Sequence, residues 1–213
     1  MIPPRFISLE GSEACGKSTQ LERLVARLGE RGDDVLLTRE PGGTPLGETV
    51  RHLLKHAPEG RGMYPEAELL LFAASRAQLV RGVIAPALAQ GGWVVSDRFL
   101  DSTTVYQGHA RGLPLDLVAS INRAAVGDCL PGLTLVLDLE TEEAMRRLRR
   151  RVRPVGQEDR MEQMPPEFYE TVRQGYRQLA EAEPGRVKLI EATGSAEEVH
   201  ARLWKEVAGA FSL

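Results

Sequence analysis

The chain has 213 residues, of which 42% are hydrophobic and 27% are charged. That length predicts one domain with a hydrophobic core of its own, and the composition excludes a disordered chain. The formal net charge of −3 disfavours a general nucleic-acid binder, because such proteins are normally basic.

Short apolar runs alternate with longer amphipathic segments along the chain. The apolar runs predict strands at 5–9, 35–38, 93–96, 133–139 and 187–190. The amphipathic segments predict helices at 17–31, 47–56, from Pro65, at 115–126, from Thr141, from Pro165 and at 196–210. This alternation is typical of an α/β fold in which about five parallel strands are covered by helices on both faces.

An irregular, arginine-rich segment interrupts the last third of the chain. Seven arginines lie between Arg146 and Arg160, and Pro154 and Gly156 fall among them. A charge run of this kind is usually a solvated helix face. It also suits a small polyphosphate, so we interpret the chain as a single domain, 1–213, with a mobile lid at about 146–164.

The segment Gly11-Ser-Glu-Ala-Cys-Gly16-Lys17-Ser18 matches G-x-x-x-x-G-K-[ST] between a predicted strand and a predicted helix. In such a loop, backbone N–H groups and the helix N-terminus surround phosphate oxygens. Lys17 reaches the β- and γ-phosphates of a nucleoside triphosphate, and the Ser18 hydroxyl ligates Mg²⁺. The loop therefore predicts a P-loop NTPase-like three-layer sandwich. The phosphates of a nucleoside triphosphate are expected to be bound by Gly11, Ser12, Glu13, Ala14, Cys15, Gly16, Lys17, Ser18 and Thr19.

Asp97 and Arg98 follow the strand predicted at 93–96. Ligands of open parallel sheets bind at the carboxyl ends of the strands. An aspartate there can hold Mg²⁺, and an arginine can bind a phosphate through two N–H donors. The alternative is a surface ion pair.

Five blocks resemble thymidylate kinases, and together they extend over nearly the whole chain. They are Phe6 to Gln20, Thr38-Arg-Glu-Pro-Gly-Gly-Thr44 with Gly47 and Arg51, Leu70 to Arg76, Ser96 to Gly108, and Asp159-Arg-Met-Glu162. The second and fourth blocks are the specific ones, since other nucleoside monophosphate kinases share the phosphate loop but not these strings. The resemblance implies Mg²⁺-dependent transfer of the γ-phosphoryl group of ATP to dTMP, in a homodimeric enzyme.

The resemblance also implies roles for residues of the acceptor site. Phe72 stacks on thymine, and Arg76 donates to a base carbonyl. Arg39 and Arg98 hold the monophosphate, and Arg51 belongs to the same site. Glu13 meets the 3′-hydroxyl, and Tyr106 disfavours a 2′-hydroxyl. The base pocket is lined by Ser102, Thr103 and Gln107. Phe72 and Tyr106 could equally be core aromatics.

Thymidylate kinases carry a catalytic arginine either in the phosphate loop or in the lid. Here Ala14 precedes Cys15, so the loop has no arginine and the lid must supply it. Arg149 and Arg153 lie closest to the irregular part and are the candidates, beside Lys17 and Arg98, for offsetting charge in the transition state.

Two rival functions stay open from the sequence. One is a kinase for another pyrimidine monophosphate, and the other is a nucleotide-binding switch or ATPase that acts on a protein partner. The two cysteines, Cys15 and Cys129, are too few for a disulfide framework and favour a reducing cytoplasm. The chain shows no signal-peptide core and no apolar run that approaches a membrane span.

Overall fold

The computed structural model describes residues 3–150 and 159–213. Within them, five strands form one parallel sheet in the order β2-β3-β1-β4-β5. The strands are β1 (Phe6–Gly11), β2 (Val35–Arg39), β3 (Trp93–Asp97), β4 (Leu133–Asp138) and β5 (Val187–Glu191). The predicted number of strands and their parallel arrangement are confirmed.

Helices connect the strands and cover both faces of the sheet. They are α1 (Lys17–Glu30), α2 (Pro45–Lys55), α3 (Pro65–Leu79), α4 (Ala85–Ala89), α5 (Leu100–Thr103), α6 (Leu115–Val126), α7 (Thr141–Arg150), α8 (Pro166–Ala182) and α9 (Ala196–Phe211). Single turns of 3₁₀-helix lie at Pro58–Gly60 and Arg160–Gln163. Most predicted elements are confirmed with ends that differ by one or two residues.

Alternating side chains of each strand pack against opposite helical layers. Ile7 and Leu9 of β1 belong to a core shared with α1 and α9. Phe6 of the same strand packs with Val94 and with residues of α3 and α6. The period of two therefore gives a three-layer sandwich, as the sequence predicts.

Two stretches of π-helix are absent from the sequence prediction. Val80–Ile84 joins α3 to α4, and Thr104–Ala110 continues α5. The second stretch carries Tyr106 and Gln107, and π-helical turns often occur at functional sites. No regular period marks residues 100–110 in the sequence, because these residues are buried on several sides.

The helical stretch Pro65–Ala89 is the one candidate membrane span among the described residues, with a mean hydropathy of 1.3 over an 18-residue window. The stretch qualifies by helix length and mean hydropathy, although Glu68, Arg76 and Arg81 interrupt its apolar residues. Of that window, 39% is buried inside the protein. The stretch also carries Arg76 in a buried ion pair, as a core helix does.

Candidate active site

The phosphate loop connects β1 to α1, and its glycines are required by its geometry. Gly11 has φ 133°, and a Cβ added there would lie 2.7 Å from the Leu137 carbonyl oxygen. Gly16 precedes α1 with φ 99°, and no side chain caps the helix there. The first backbone N–H groups of α1 therefore remain available to donate to an anion.

Lys17 is buried and lies across this loop. Its Nζ donates to the carbonyl oxygens of Gly11 at 3.1 Å and Ser12 at 2.7 Å, and it contacts Cys15 Sγ at 3.6 Å. The Cys15 thiol is buried and donates to Ser12 O at 3.0 Å, as expected of a small residue that fills the loop. Ser18 and Thr19 are exposed in the first turn of α1.

Asp97 lies beside the phosphate loop because β3 pairs with β1, with Asp97 opposite Leu9. Its Oδ1 is buried and accepts no hydrogen bond from the described residues. Among those residues no group of three or more His, Cys, Asp or Glu side chains could hold a metal. Asp97 therefore offers one unused carboxylate oxygen beside the phosphate loop, which fits Mg²⁺ because that ion keeps waters and substrate phosphates as ligands.

Arg98 joins the phosphate loop to the neighbouring cleft. Its backbone is left-handed, with φ 67°, which costs a non-glycine residue about 1–2 kcal/mol. The backbone N–H donates to Leu9 O at 3.0 Å and Ser96 Oγ donates to Arg98 O at 2.6 Å, so both neighbouring strands hold this conformation. The side chain donates to Glu13 Oε1 at 2.6 Å and to Ser102 Oγ at 3.2 Å.

A cleft of about 410 Å³, a volume that includes open solvent, lies beside the loop. Eight of the ten residues predicted for the acceptor site line it. They are Glu13, Phe72, Arg76, Arg98, Ser102, Thr103, Tyr106 and Gln107. Five further lining residues were missed by the sequence reasoning, namely Glu40, Pro41, Lys55, Phe99 and Met161.

Tyr106 is both a core and a cleft residue, so the two interpretations of it do not exclude each other. Its ring packs edge-on against Phe168, with centroids 6.0 Å apart, and Arg98 lies 5.0 Å above it. Its hydroxyl is buried and has no hydrogen-bond partner among the described residues. Phe72 is half-buried and faces the cleft.

Arg76 is buried in the floor of the cleft, where it donates hydrogen bonds to three side chains. It donates to Glu40 Oε2 at 2.7 Å, Asn122 Oδ1 at 2.8 Å and Thr103 Oγ1 at 2.7 Å. A guanidinium has five N–H groups, so two remain for a ligand. Burial raises the pKa of Glu40 to about 7, although the charge of Arg76 opposes the shift.

Arg39 and Arg51 do not line the cleft itself. Arg39 pairs with Glu48 at 2.8 Å, and Arg51 donates to the carbonyl oxygen of Pro41, a lining residue, at 3.0 Å. Burial and the nearby charge of Arg39 lower the pKa of Arg51. The two cations therefore lie close together at the rim of the cleft, an arrangement that an anion would stabilise.

Glu10 organises the segment that carries Arg98 and Ser102, and the sequence reasoning missed it. This buried carboxyl accepts from Phe99 N at 2.7 Å, Ser102 Oγ at 2.5 Å and Tyr176 OH at 2.9 Å. Burial and the charge of Asp101 raise its pKa. The available signal was an acidic residue at the end of an otherwise apolar strand, directly before the phosphate loop.

The first six arginines of the predicted lid fall into three groups. Arg146 and Arg147 pair with Glu143 of the same helix and belong to its surface. Arg149 and Arg150 are exposed at the end of α7. Arg151 and Arg153 lie outside the described residues.

The last residues of the predicted lid are fixed to α2 and α3. Asp159 pairs with Lys55 at 2.7 Å, and Arg160 donates to Leu54 O at 3.0 Å and to Glu68 at 2.5 Å. Because Lys55 also lines the cleft, this anchor joins the end of the predicted lid to the cleft.

Comparisons with known proteins agree with this geometry. The sequence profile of the thymidylate kinase family matches residues 9–203. The thymidylate kinase of Syntrophotalea carbinolica is 47% identical over 211 residues, which cover 98% of this chain and 97% of that protein. The thymidylate kinase of Deinococcus radiodurans is 48% identical over 95% of each chain.

A solved structure gives the same result. The crystal structure of thymidylate kinase from Ehrlichia chaffeensis aligns with a TM-score of 0.75 and 33% sequence identity, over 95% of this chain and 97% of that one. The family match, the relatives and the P-loop fold agree over nearly the full length, and the chain belongs to the thymidylate kinase family.

Proposed function

We propose that this enzyme transfers the γ-phosphoryl group of ATP to dTMP at the junction of the phosphate loop and the cleft, with the residue roles given below. The contact between Arg98 and Glu13 carries the proposal. Glu13 belongs to the phosphate loop and also lines the cleft, so donor and acceptor meet at this ion pair.

On the donor side, the loop from Gly11 to Thr19 binds the phosphates of ATP. Lys17 exchanges its bonds to the loop carbonyls for phosphate oxygens, and the free N–H groups at the start of α1 provide further donors. Ser18 and Asp97 would hold Mg²⁺, which would offset negative charge on the phosphates of ATP. The buried, unpartnered Oδ1 of Asp97 supports this assignment.

On the acceptor side, the cleft holds the base and sugar of dTMP. Phe72 stacks on thymine, and Arg76 donates one of its two remaining N–H groups to a base carbonyl. Glu13 accepts from the 3′-hydroxyl, and Tyr106 closes the side of the sugar where a ribonucleotide has a 2′-hydroxyl. The base pocket is completed by Ser102, Thr103 and Gln107, which line the same cleft.

The acceptor phosphate lies between Arg98 and the arginines at the rim. Arg98 presents a fork of N–H donors whose present partners are Glu13 and Ser102. Arg39 and Arg51 complete the phosphate site, since an anion would relieve the repulsion between them.

The chemical step forms one P–O bond and breaks another. A phosphate oxygen of dTMP attacks the γ-phosphorus in line, and the bond from that phosphorus to the β,γ-bridging oxygen breaks. The electron pair leaves with ADP. No general base is required, because the attacking oxygen is already anionic, and Lys17, Arg98, Arg149 and Arg153 offset the developing charge.

The acceptor assignment is tested by turnover of four nucleotides under saturating ATP and Mg²⁺. We expect kcat/KM to be highest for dTMP and lower for dUMP, dCMP and UMP. The kcat/KM for UMP should be lowered further, because its 2′-hydroxyl would contact Tyr106. A preference for dCMP or UMP over dTMP would overturn the proposed base and sugar contacts.

We also propose that the enzyme is a homodimer. Exposed leucines fall on three neighbouring helices, α2, α3 and α6, and they are Leu46, Leu70, Leu115 and Leu117. Leu70 is 57% exposed on the apolar stretch Pro65–Ala89. Sedimentation velocity should give a dimer that Leu70→Glu dissociates, whereas Leu189→Glu on β5 does not; a monomeric native enzyme would contradict this. The cytoplasmic location and the lack of nucleic-acid and membrane binding stay predictions.

A further inference from the structure

Glu68 is a buried carboxylate in the first turn of α3, 1% exposed, and it does not line the cleft. Its Oε1 accepts from Gln107 Nε2 at 2.8 Å and from Arg111 Nε at 3.3 Å. Its Oε2 accepts from Arg160 Nη2 at 2.5 Å and from Arg111 Nη2 at 3.3 Å. One carboxylate thus holds a cleft residue, Gln107, and Arg160 at the end of the predicted lid.

The contact with Glu68 fixes which way the Gln107 amide points. An amide has a donor end and an acceptor end, whereas the carboxylate of Glu68, already paired with two arginines, offers acceptors only. If the Gln107 amide were turned over, its Oε1 would face Glu68 Oε1 at the distance of a hydrogen bond with no proton between them. The Nε2 atom of Gln107 must therefore be the one that faces Glu68.

The acceptor oxygen of Gln107 is then the polar atom left for the cleft. Within residues 3–150 and 159–213, no donor reaches Gln107 Oε1. Thymine carries an N–H at ring position 3, and cytosine carries a lone pair at the same position. An oxygen at this point accepts from thymine and repels cytosine.

We propose that Glu68 is a positioning residue for base specificity: by holding Nε2 of Gln107, it turns the amide oxygen toward the base and selects a base with an N–H at position 3. This inference rests on the proposed function, because it requires a pyrimidine in the cleft. A site built to satisfy one hydrogen-bonding pattern discriminates strongly, since the wrong ligand leaves buried polar groups unpaired.

Glu68 also anchors Arg160, and this second role predicts a different result. If Glu68 only fixed Arg160 to α3, Glu68→Gln and Arg160→Ala would both lower activity toward every acceptor alike. If Glu68 orients Gln107, only Glu68→Gln changes the choice between bases, because Arg160→Ala leaves the contact between Glu68 and Gln107 in place.

The experiment measures kcat/KM for dTMP and dCMP, with ATP–Mg²⁺ saturating, in the native enzyme and three variants. In Glu68→Gln the new amide can donate to Gln107, so the Gln107 amide can turn its NH₂ group to the base. We expect the ratio of kcat/KM for dTMP to that for dCMP to fall about tenfold or more, with dCMP turnover rising. A change of this size corresponds to about one hydrogen bond. Arg160→Ala should keep the native ratio within about twofold while lowering activity toward both nucleotides.

The third variant, Gln107→Leu, removes the amide and keeps both arginine pairs of Glu68. Its ratio should fall as well, and adding Glu68→Gln to it should change the ratio no further, because the two residues act through one contact. An unchanged ratio in Glu68→Gln, or in Gln107→Leu if Glu68→Gln does not fold, would overturn the inference. A native enzyme with no preference for dTMP over dCMP would instead overturn the proposed function itself.

Discussion

Arg98→Lys is the sharpest single test of the phosphate site, because lysine keeps the charge and loses the fork of donors. Arg98 makes two directional contacts, to Glu13 at 2.6 Å and to Ser102 at 3.2 Å, from a half-buried position over the ring of Tyr106. An ammonium is a point charge on a flexible chain and replaces only one of two parallel N–H···O bonds to a phosphate.

The magnitude follows from that lost bond. A hydrogen bond to a charged group contributes about 1.5–3 kcal/mol, which corresponds to a loss of about 10- to 150-fold in kcat/KM for dTMP. The assay is steady-state ADP release at saturating ATP, with Arg146→Lys as control, since Arg146 is exposed and its one ion-pair partner within the described residues is its helix neighbour Glu143. Arg98→Lys with native kcat/KM for dTMP and an unchanged melting temperature would refute the role of Arg98 in binding phosphate.

Three further predictions concern the lid, the base pocket and Glu40. Of Arg149→Ala and Arg153→Ala, the variant that removes the catalytic arginine should lower kcat about 100-fold or more and leave KM for dTMP nearly unchanged. Arg146→Ala is the control. A change in KM alone in both variants would show that neither arginine acts in the transition state. Phe72→Ala should raise KM for dTMP about tenfold, because stacking on a base contributes about 1–3 kcal/mol, and an unchanged KM would place the base elsewhere. Burial raises the pKa of Glu40 from its ordinary 4.5 to about 7, so the folded state holds a proton that the unfolded state has lost, and stability falls as pH rises through this window. Urea unfolding at pH 5 and pH 8 should show Glu40→Gln gaining about 3 kcal/mol relative to the native protein over that range, and equal pH slopes would contradict the buried, ionisable Glu40.

Much of the fold could be predicted because its signals are local. The strand at Trp93–Asp97 is a short apolar run after a pair of glycines, and the helix at Leu115–Val126 has a regular apolar face. The region at 100–110 gave no such signal. Its helical turns are partly π-helical and are enclosed by α3, α6 and α8, so burial on several sides hides the period.

Cleft residues could be predicted where they belong to a sequence motif, but not where only the packing of distant elements brings them to the cleft. Glu13 and Arg98 were predicted from their motifs, and the pairing of β1 with β3 brings these motifs together. Lys55, Glu40 and Glu68 reach the site or its supports only because α2, the loop after β2 and α3 pack around the same edge. Nothing in the local sequence of Lys55 and Glu68 distinguishes them from surface charges, and Glu40 stands in the second resembling block without a role assigned to it.

The positions of Arg39 and Arg51 illustrate the same limit. The family resemblance placed them in the acceptor site, and in the structure they lie at its rim, engaged with Glu48 and with Pro41 O. Whether a side chain lines a cleft or borders it depends on backbone geometry that a sequence motif does not specify.

The most direct test of the account is stoichiometry: ADP release from ATP–Mg²⁺, with and without dTMP, measured together with dTDP formation. If the phosphate loop and the cleft act as one site through Arg98 and Glu13, ADP release should be slow alone and should rise sharply with dTMP, with one dTDP formed per ADP. Rapid ADP release without dTMP, or ADP release with dTMP but no dTDP, would contradict phosphoryl transfer to dTMP as the reaction of this site.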